Sequence, residues 1–201
     1  TPDVKELTKL VLWRQFCALE KVRDGSLIEI LENELDKDKK VLVFTNFTKV
    51  VDSVHDSYKH DSLILDGRIK DARERLEIVN TFNKDPNIRI LATNWAVGSV
   101  GLNAQGASSM IANDMSWVPS TMIQGEDSLW RIGQTKDVLA QYPIYKDTVE
   151  EILYETISKK MLVVSEILSG KPENYFAEYQ AQEKLDKKSI LQELFAKIDR
   201  I

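Results

Sequence analysis

Cysteine occurs once in the 201 residues and histidine twice, and no apolar run approaches the length of a membrane span. The single cysteine excludes an internal disulfide, and with it the small stapled domains of secreted proteins. The chain is therefore expected to be intracellular and to have no membrane partner. Cys17 stands in the apolar helical stretch LVLWRQFCALE, where a buried core thiol is favoured over a nucleophile. His55 and His60 have no cysteine or histidine cluster around them, so no zinc site, and no metal site of any kind, is expected from these residues. No signal peptide is visible, and the chain opens on Thr1 rather than methionine. That start is the expectation of a piece cut from a longer protein. The net charge of −5 does not advertise a nucleic-acid binder, although a local basic strip can bind DNA on an acidic protein.

What is present is ample apolar material in alternating patterns. Hydrophobic residues make up 43% of the chain and charged residues 29%, enough for a sizeable core under a well-solvated surface. Residues 4–22 and 25–37 read as helices, with Leu7, Leu10, Val11 and Phe16 near one face of the first and the turn DGS between them. KKVLVFTNF, SLILD (62–66), NIRILAT (87–93), SSMIAND (108–114) and DVLAQYPIY (137–145) read as short buried strands. TKVVDSVHDSY and IKDARERLEIVNTFN return to helical period, the second with Ile69, Leu76, Val79 and Phe82 facing in. Residues 148–169 form one more helix. Strands alternating with helices predict an α/β domain with a largely parallel sheet and helices on both faces. Ligands of such folds sit beyond the carboxyl ends of the strands, where the unusual segments 93–106 and 114–135 belong. SGKPEN interrupts the pattern, and residues 181–201 resume it with Ile190, Leu191, Leu194, Phe195 and Ile198 on one face. A packing helix is favoured there over one that docks a partner protein. The expected division is a main domain over 1–170, including the leading helices 4–37, and a helical extension over 171–201. ELDKDKK reads as a solvated helix end.

Two stretches carry chemistry. TNWAVGSVGLNAQGAS (93–108) follows a strand and holds Gly98, Gly101 and Gly106, residues that let a backbone approach a phosphate or turn with positive φ. No Gly-Lys-Ser/Thr follows, so it is not a Walker A loop. DMSWVPSTMIQGEDSLWRIGQ (114–134) is more specific. Pro119 suits a helix first turn, and a helix running to about Trp130 would bring Gln124, Asp127, Ser128 and Arg131 near one face. A guanidinium at the ligand edge is planar, always charged and forked, the group suited to a transferring phosphate. Glu126/Asp127 and Glu150/Glu151 could pose as catalytic carboxylate pairs, but adjacent residues do not face each other on a helix, and capping or pairing is favoured.

Together these stretches resemble motifs V and VI of the SWI/SNF family of superfamily-two helicase-like ATPases. Gln124, Asp127, Arg131, Ile132, Gly133 and Gln134 match the family's last motif. Asp114, Trp117 and Pro119 match the Asp-x-x-Trp-x-Pro before it, and Val100, Gly101, Leu102 and Asn103 match part of Gly-x-Gly-Leu-Asn. VLVFTNFTKVVD resembles motif IV; Asp66, Gly67, Arg75, Phe82 and Asn83 resemble the Asp-Gly segment and its helix; Thr148 to Glu151 resemble the Thr-Val-Glu-Glu helix. The six motifs run in order over about residues 4–168.

The resemblance implies a RecA-like second lobe, the C-terminal half of an ATP-driven translocase on double-stranded DNA. ATP with Mg2+ would lie against a first RecA-like lobe that holds the metal. Since neither a phosphate-cradling loop nor an Asp-Glu-x-His box is present in this sequence, the lobe alone is expected to be inactive. Arg131 would be the arginine finger and Gln124 would help couple the two activities. Gly98, Gly101, Asn103 and Asp127 would join Arg131 in binding the ATP, with Gly98 to Gly101 lining the nucleotide cleft or the adjacent DNA path. Thr45, Asn46, Arg68, Lys70 and Thr93, from loops at the strand ends, are the candidates for the DNA track. The sequence departs from the family at Ser128, where a second arginine is expected, at Trp130, where histidine is expected, and at Ser99, where glycine is expected. The alternative is a catalytically degenerate lobe that binds DNA or a protein. The compartment would be the nucleus in a eukaryote and the cytoplasm or nucleoid in a bacterium or phage.

Overall fold

The computed structural model describes residues 4–98, 101–130 and 134–168. The described residues fall into two compact units, one formed by Gln15–Ser116 with Ser120–Ile144 and the other by residues up to Arg14, Trp117–Pro119 and residues from Tyr145 onward. The boundary expected at 170 and the helix expected at 181–201 lie outside the described residues.

The element order is α1 (Val4–Arg23), α2 (Ser26–Leu35), β1 (Val41–Thr45), α3 (Thr48–Ser57), β2 (Ser62–Leu65), α4 (Ala72–Lys84), β3 (Ile90–Asn94), α5 (Trp95–Gly98), β4 (Ser109–Ala112), α6 (Pro119–Asp127), β5 (Leu139–Gln141) and α7 (Val149–Leu168). The first unit is built on a five-stranded sheet in the order β2-β3-β1-β4-β5, and every adjacent pair is parallel. β1 is buried at all five positions, which is why it reads as an unbroken apolar run and not as an alternation.

Register assigns the side chains to the two faces. Val41, Val43, Ile90, Ala92 and Ile111 share one core with Ala18 of α1, Leu27 and Leu31 of α2, and Val50, Val51 and Val54 of α3. Burying each of the larger of these contributes about 1.5–3 kcal/mol. Leu42, Phe44, Leu91, Thr93, Met110 and Ala112 occupy the alternate positions. On that side Phe44 stacks on Trp95 of α5 with ring centroids 4.3 Å apart. The sheet is therefore covered on both sides, as the α/β pattern predicts.

Local chemistry sets the element ends. Asp71 caps α4 by accepting from the N–H groups of Arg73 at 2.7 Å and Glu74 at 3.1 Å, so the helix starts at Ala72 and not at Ile69. At its other end the Lys40 ammonium donates to the carbonyls of Phe82 and of Asp85, the latter at 2.6 Å, a favourable charge for a helix C-terminus. Leu76, expected to face in, is 61% exposed, and Val11 and Phe16 of α1 are exposed too, while Leu10, Val79 and Phe82 are buried. Nor is ELDKDKK a solvated end: Glu34 is buried and is held by Lys37 at 2.7 Å and Lys39 at 2.8 Å. Cys17 is buried.

In the second unit the Arg14 guanidinium lies 4.1 Å from the centroid of the Trp117 ring, a cation–π contact. Thr148 caps α7: its hydroxyl accepts from Glu150 N at 3.2 Å, and Glu151 reaches back to Asp147 N at 2.8 Å. Glu150 itself accepts from Tyr145 N at 3.1 Å. Both carboxylates of the Thr-Val-Glu-Glu segment thus serve the helix start. Among the described residues no helix is long and apolar enough to cross a membrane.

Candidate functional site

Parallel strands end together, so Thr45–Asn46, Asp66–Arg68, Asn94–Trp95 and Asn113–Ser116 lie along one edge of the sheet. Asp114 is the hub of its central part. The buried Asp114 carboxylate accepts from the Thr45 hydroxyl, from the Asn46 amide side chain, and from Asn46 N at 3.0 and 3.2 Å. Its backbone carbonyl accepts from the Trp95 indole N–H at 2.7 Å. The ends of β1, β3 and β4 are thereby locked to one another through a single residue.

The glycine-bearing loop after α5 and the helix α6 meet at the same edge. Gly101 has φ 67°, the left-handed turn that glycine makes without strain. Farther along, Asn83 of α4 clamps the loop: its amide donates to the Asn103 carbonyl at 2.8 Å and its oxygen accepts from Gly106 N at 2.9 Å. Gln134 clamps it from the other side, with Nε2 at 3.2 Å from the Gln105 carbonyl, 2.9 Å from that of Ala107 and 3.3 Å from that of Leu129. Ala104 N donates to the Ser128 carbonyl at 3.2 Å. Loop and helix end are one hydrogen-bonded assembly.

Helix α6 is shorter than the pattern predicts. It ends at Asp127, because Ser128 N is shared between the carbonyls of Gln124 and Gly125 and Leu129 N turns back to Glu126 at 3.0 Å, a tightened last turn. The helix sits on Trp95, since a Cβ at Gly125 would lie 2.8 Å from the indole. Glu126 accepts from the Tyr142 hydroxyl. Burial first, then the neighbouring carboxylate, pushes that phenol far above its ordinary value.

The family model "Helicase conserved C-terminal domain" matches residues 24–133, more than half of the chain. The chain belongs to this helicase C-terminal family. Its parallel sheet is RecA-like, and its relatives are SWI/SNF-family helicases. An uncharacterized ATP-dependent helicase of Mycoplasma pneumoniae is 31% identical over 81% of this chain, which spans 17% of that protein. Helicase SWR1 of Gibberella zeae is 33% identical over 89% of the chain, which spans 11% of that protein. Transcription termination factor 2 of Drosophila melanogaster is 33% identical over 72%, again with only 14% of its own length covered. Among solved structures, the C-terminal part of the Fun30 ATPase domain superposes with a TM-score of 0.64 at 26% identity, covering 88% of this chain and 53% of that one. The Sulfolobus solfataricus SWI2/SNF2 ATPase core in complex with dsDNA gives 0.64 at 23% identity, covering 85% and 40%.

Within the helicase lobe the sequence-predicted residues separate by exposure. Gln124, Asp127, Gly101 and Asn103 are exposed. Arg131 lies outside the described residues. Gly98 is buried, and a Cβ there would stand 2.5 Å from Phe44 Cε1 and 2.6 Å from Thr93 Cγ2; its smallness lets α5 close on the sheet. Gly98→Ala is expected to lower the stability of the lobe by about 1–3 kcal/mol, the range for overpacking, and a urea titration measures it.

The DNA candidates divide as well. Thr45 and Thr93 are fully buried. The Thr45 hydroxyl also accepts from Phe47 N at 3.1 Å, and that of Thr93 donates to the Leu65 carbonyl at 2.5 Å. The Asn46 amide spends its donors on Asp114 and on the Met115 carbonyl at 2.9 Å. Direct phosphate contact through these three side chains does not fit the structure, because their hydroxyl and amide donors already hold the sheet edge together. Lys70 and Arg68 remain, both exposed. Arg68 grips Asp66, with Nε 3.0 Å from each carboxylate oxygen and Nη2 2.7 Å from one of them. Burial pushes the Asp66 carboxyl up, but the bonds from Arg68 outweigh it and hold the group below its ordinary value. Reading the sequence missed Trp95, Gly125 and Tyr142, none of which carries a local signal, and left Asn83 and Gln134 as motif letters without a task.

Proposed function

We propose that this lobe is the C-terminal half of an ATP-driven double-stranded-DNA translocase, supplying Arg131 to the nucleotide and part of the DNA track. The observation that carries the reading is the Gln134 clamp. One side-chain amide ties the glycine loop to Leu129, so the loop that carries the exposed Gly101 and Asn103 is joined to the end of the helix that carries the exposed Gln124 and Asp127. A triphosphate presented by a first lobe would meet these exposed groups. Arg131 would then neutralise charge building on the transferred γ-phosphoryl oxygens as the bond to the β-phosphate breaks and water attacks. Gln124 would couple this to DNA. Mg2+ would be held by the first lobe and would supply further positive charge at the phosphates. The compartment is that of the DNA: nucleus, cytoplasm or nucleoid. A protein partner at 181–201 remains part of the same reading.

Hydrolysis by a protein carrying both lobes, with and without duplex DNA, tests this. Duplex is expected to stimulate turnover, and duplex binding is expected to weaken with salt at a log–log slope of about −0.9 per phosphate neutralised. The 201-residue chain alone is expected to hydrolyse nothing. Displacement of a paired strand would move the reading from translocase to strand-separating helicase.

Ser128 is the observation behind a second reading. Its side chain is buried and donates to the Gly125 carbonyl at 2.6 Å, so position 128 presents no cation to the edge. A two-lobed protein that bound duplex yet hydrolysed no ATP would be the degenerate binding lobe.

A further inference from the structure

We propose that Arg68 is a phosphate-binding position held ready at the end of β2, and that Asp52 of α3 occupies its outer side as an internal substitute for the phosphate. This rests on the DNA-track reading and assigns it a gate. Asp66 is fully buried and takes the Nε–Nη2 edge of the guanidinium, which fixes the plane of a side chain that is still half exposed. The same Nη2 reaches Asp52 at 2.7 Å, and the Asp52 side chain is 43% exposed. A guanidinium has five N–H donors. Three are engaged here, and the two on Nη1 have no partner among the described residues. The pairing is also unequal: two carboxylates face one cation, and only the buried one is needed to anchor it. An exposed pair such as Arg68–Asp52 is worth little. A DNA phosphate can take its place, accept from two donors at once and release counterions as it binds. Lys70 and Lys49 stand exposed nearby in sequence, Lys49 one turn before Asp52 on α3, and both favour an incoming anion once Asp52 gives way. As the lobe stands, Asp52 repels DNA at the position best built to hold it.

Duplex binding by the protein carrying both lobes tests this, titrated over salt for the wild type, Asp52→Asn, Arg68→Ala and the double variant. Asp52→Asn is expected to bind about two- to fivefold more tightly at low salt, the fold-change matching an exposed ion pair. Arg68→Ala is expected to bind more weakly, with a salt slope shallower by about 0.9. In the Arg68→Ala background Asp52→Asn is expected to change nothing. Unchanged affinity in Asp52→Asn, or equal tightening with and without Arg68, overturns the gate while leaving the DNA reading in place. A wild type that binds no duplex at any salt overturns both.

Discussion

Arg131→Ala, made in the protein that carries both lobes, is expected to lower DNA-stimulated kcat by about a thousandfold, with duplex affinity and thermal stability unchanged. The size follows from the proposed role. A cation that meets charge developing only in the transition state contributes roughly 10³–10⁵ in rate, and its loss falls on kcat and not on KM. Arg131→Lys keeps the charge but not the planar fork, so it is expected to recover a small part of the rate. Ser128→Ala is the matched control three residues earlier. Its hydroxyl is buried and bonded to the Gly125 carbonyl, so its loss is expected to cost about 1 kcal/mol of stability and leave kcat in place. The pair separates one cation from two. If Arg131→Ala hydrolyses ATP at the wild-type rate, Arg131 is no finger and the cation that meets the γ-phosphate comes from elsewhere.

The strands were legible because burial on both faces leaves its mark on composition. VLVFT and ILATN have no polar alternation because both sides are covered. Their spatial order was not legible. β1 lies between β3 and β4, and nothing local in a strand names neighbours that are tens of residues away. Helix faces were half legible. Periodicity picked out Leu10, Val79 and Phe82, which are buried, and with them Val11, Phe16 and Leu76, which are exposed. A period says which side of a helix is apolar, and packing decides how wide a stripe is covered.

The site was legible as motifs and illegible as hydrogen bonds. Thr45, Asn46 and Thr93 stand at strand ends, where ligand contacts are made in this architecture. Whether such a residue faces the ligand or holds the edge together depends on which partner lies opposite, and for Thr45 and Asn46 that partner is Asp114, far along the chain. The glycines make the same point. Gly101 is needed for its φ of 67°, whereas Gly98, Gly106 and Gly125 are needed because Phe44, Asn83 and Trp95 leave no room for a Cβ. A one-letter string does not distinguish the two needs.

Asp114→Ala is expected to be the most damaging single change to the stability of the sheet edge, at about 3–5 kcal/mol. The substitution removes only the carboxylate. It leaves behind the Thr45 hydroxyl, the Asn46 N–H and the Asn46 amide, all of which it had satisfied. Thr45 is fully buried, so water does not readily replace the lost acceptor. Each donor stranded in this way costs about 1–3 kcal/mol, against a total stability for a domain of roughly 5–15 kcal/mol. Asp114→Asn keeps one carbonyl oxygen as an acceptor but sets an NH2 against a donor, and an intermediate loss is expected. The indole bond from Trp95 goes to the Asp114 backbone carbonyl and survives both changes, so the stack of Trp95 on Phe44 and the seat of α6 should persist in whatever remains folded. Urea unfolding followed by tryptophan fluorescence reads both quantities, the midpoint for the edge and the native emission for the stack. A midpoint equal to that of the wild type for Asp114→Ala would show that the ends of β1 and β4 are held by something other than this carboxylate.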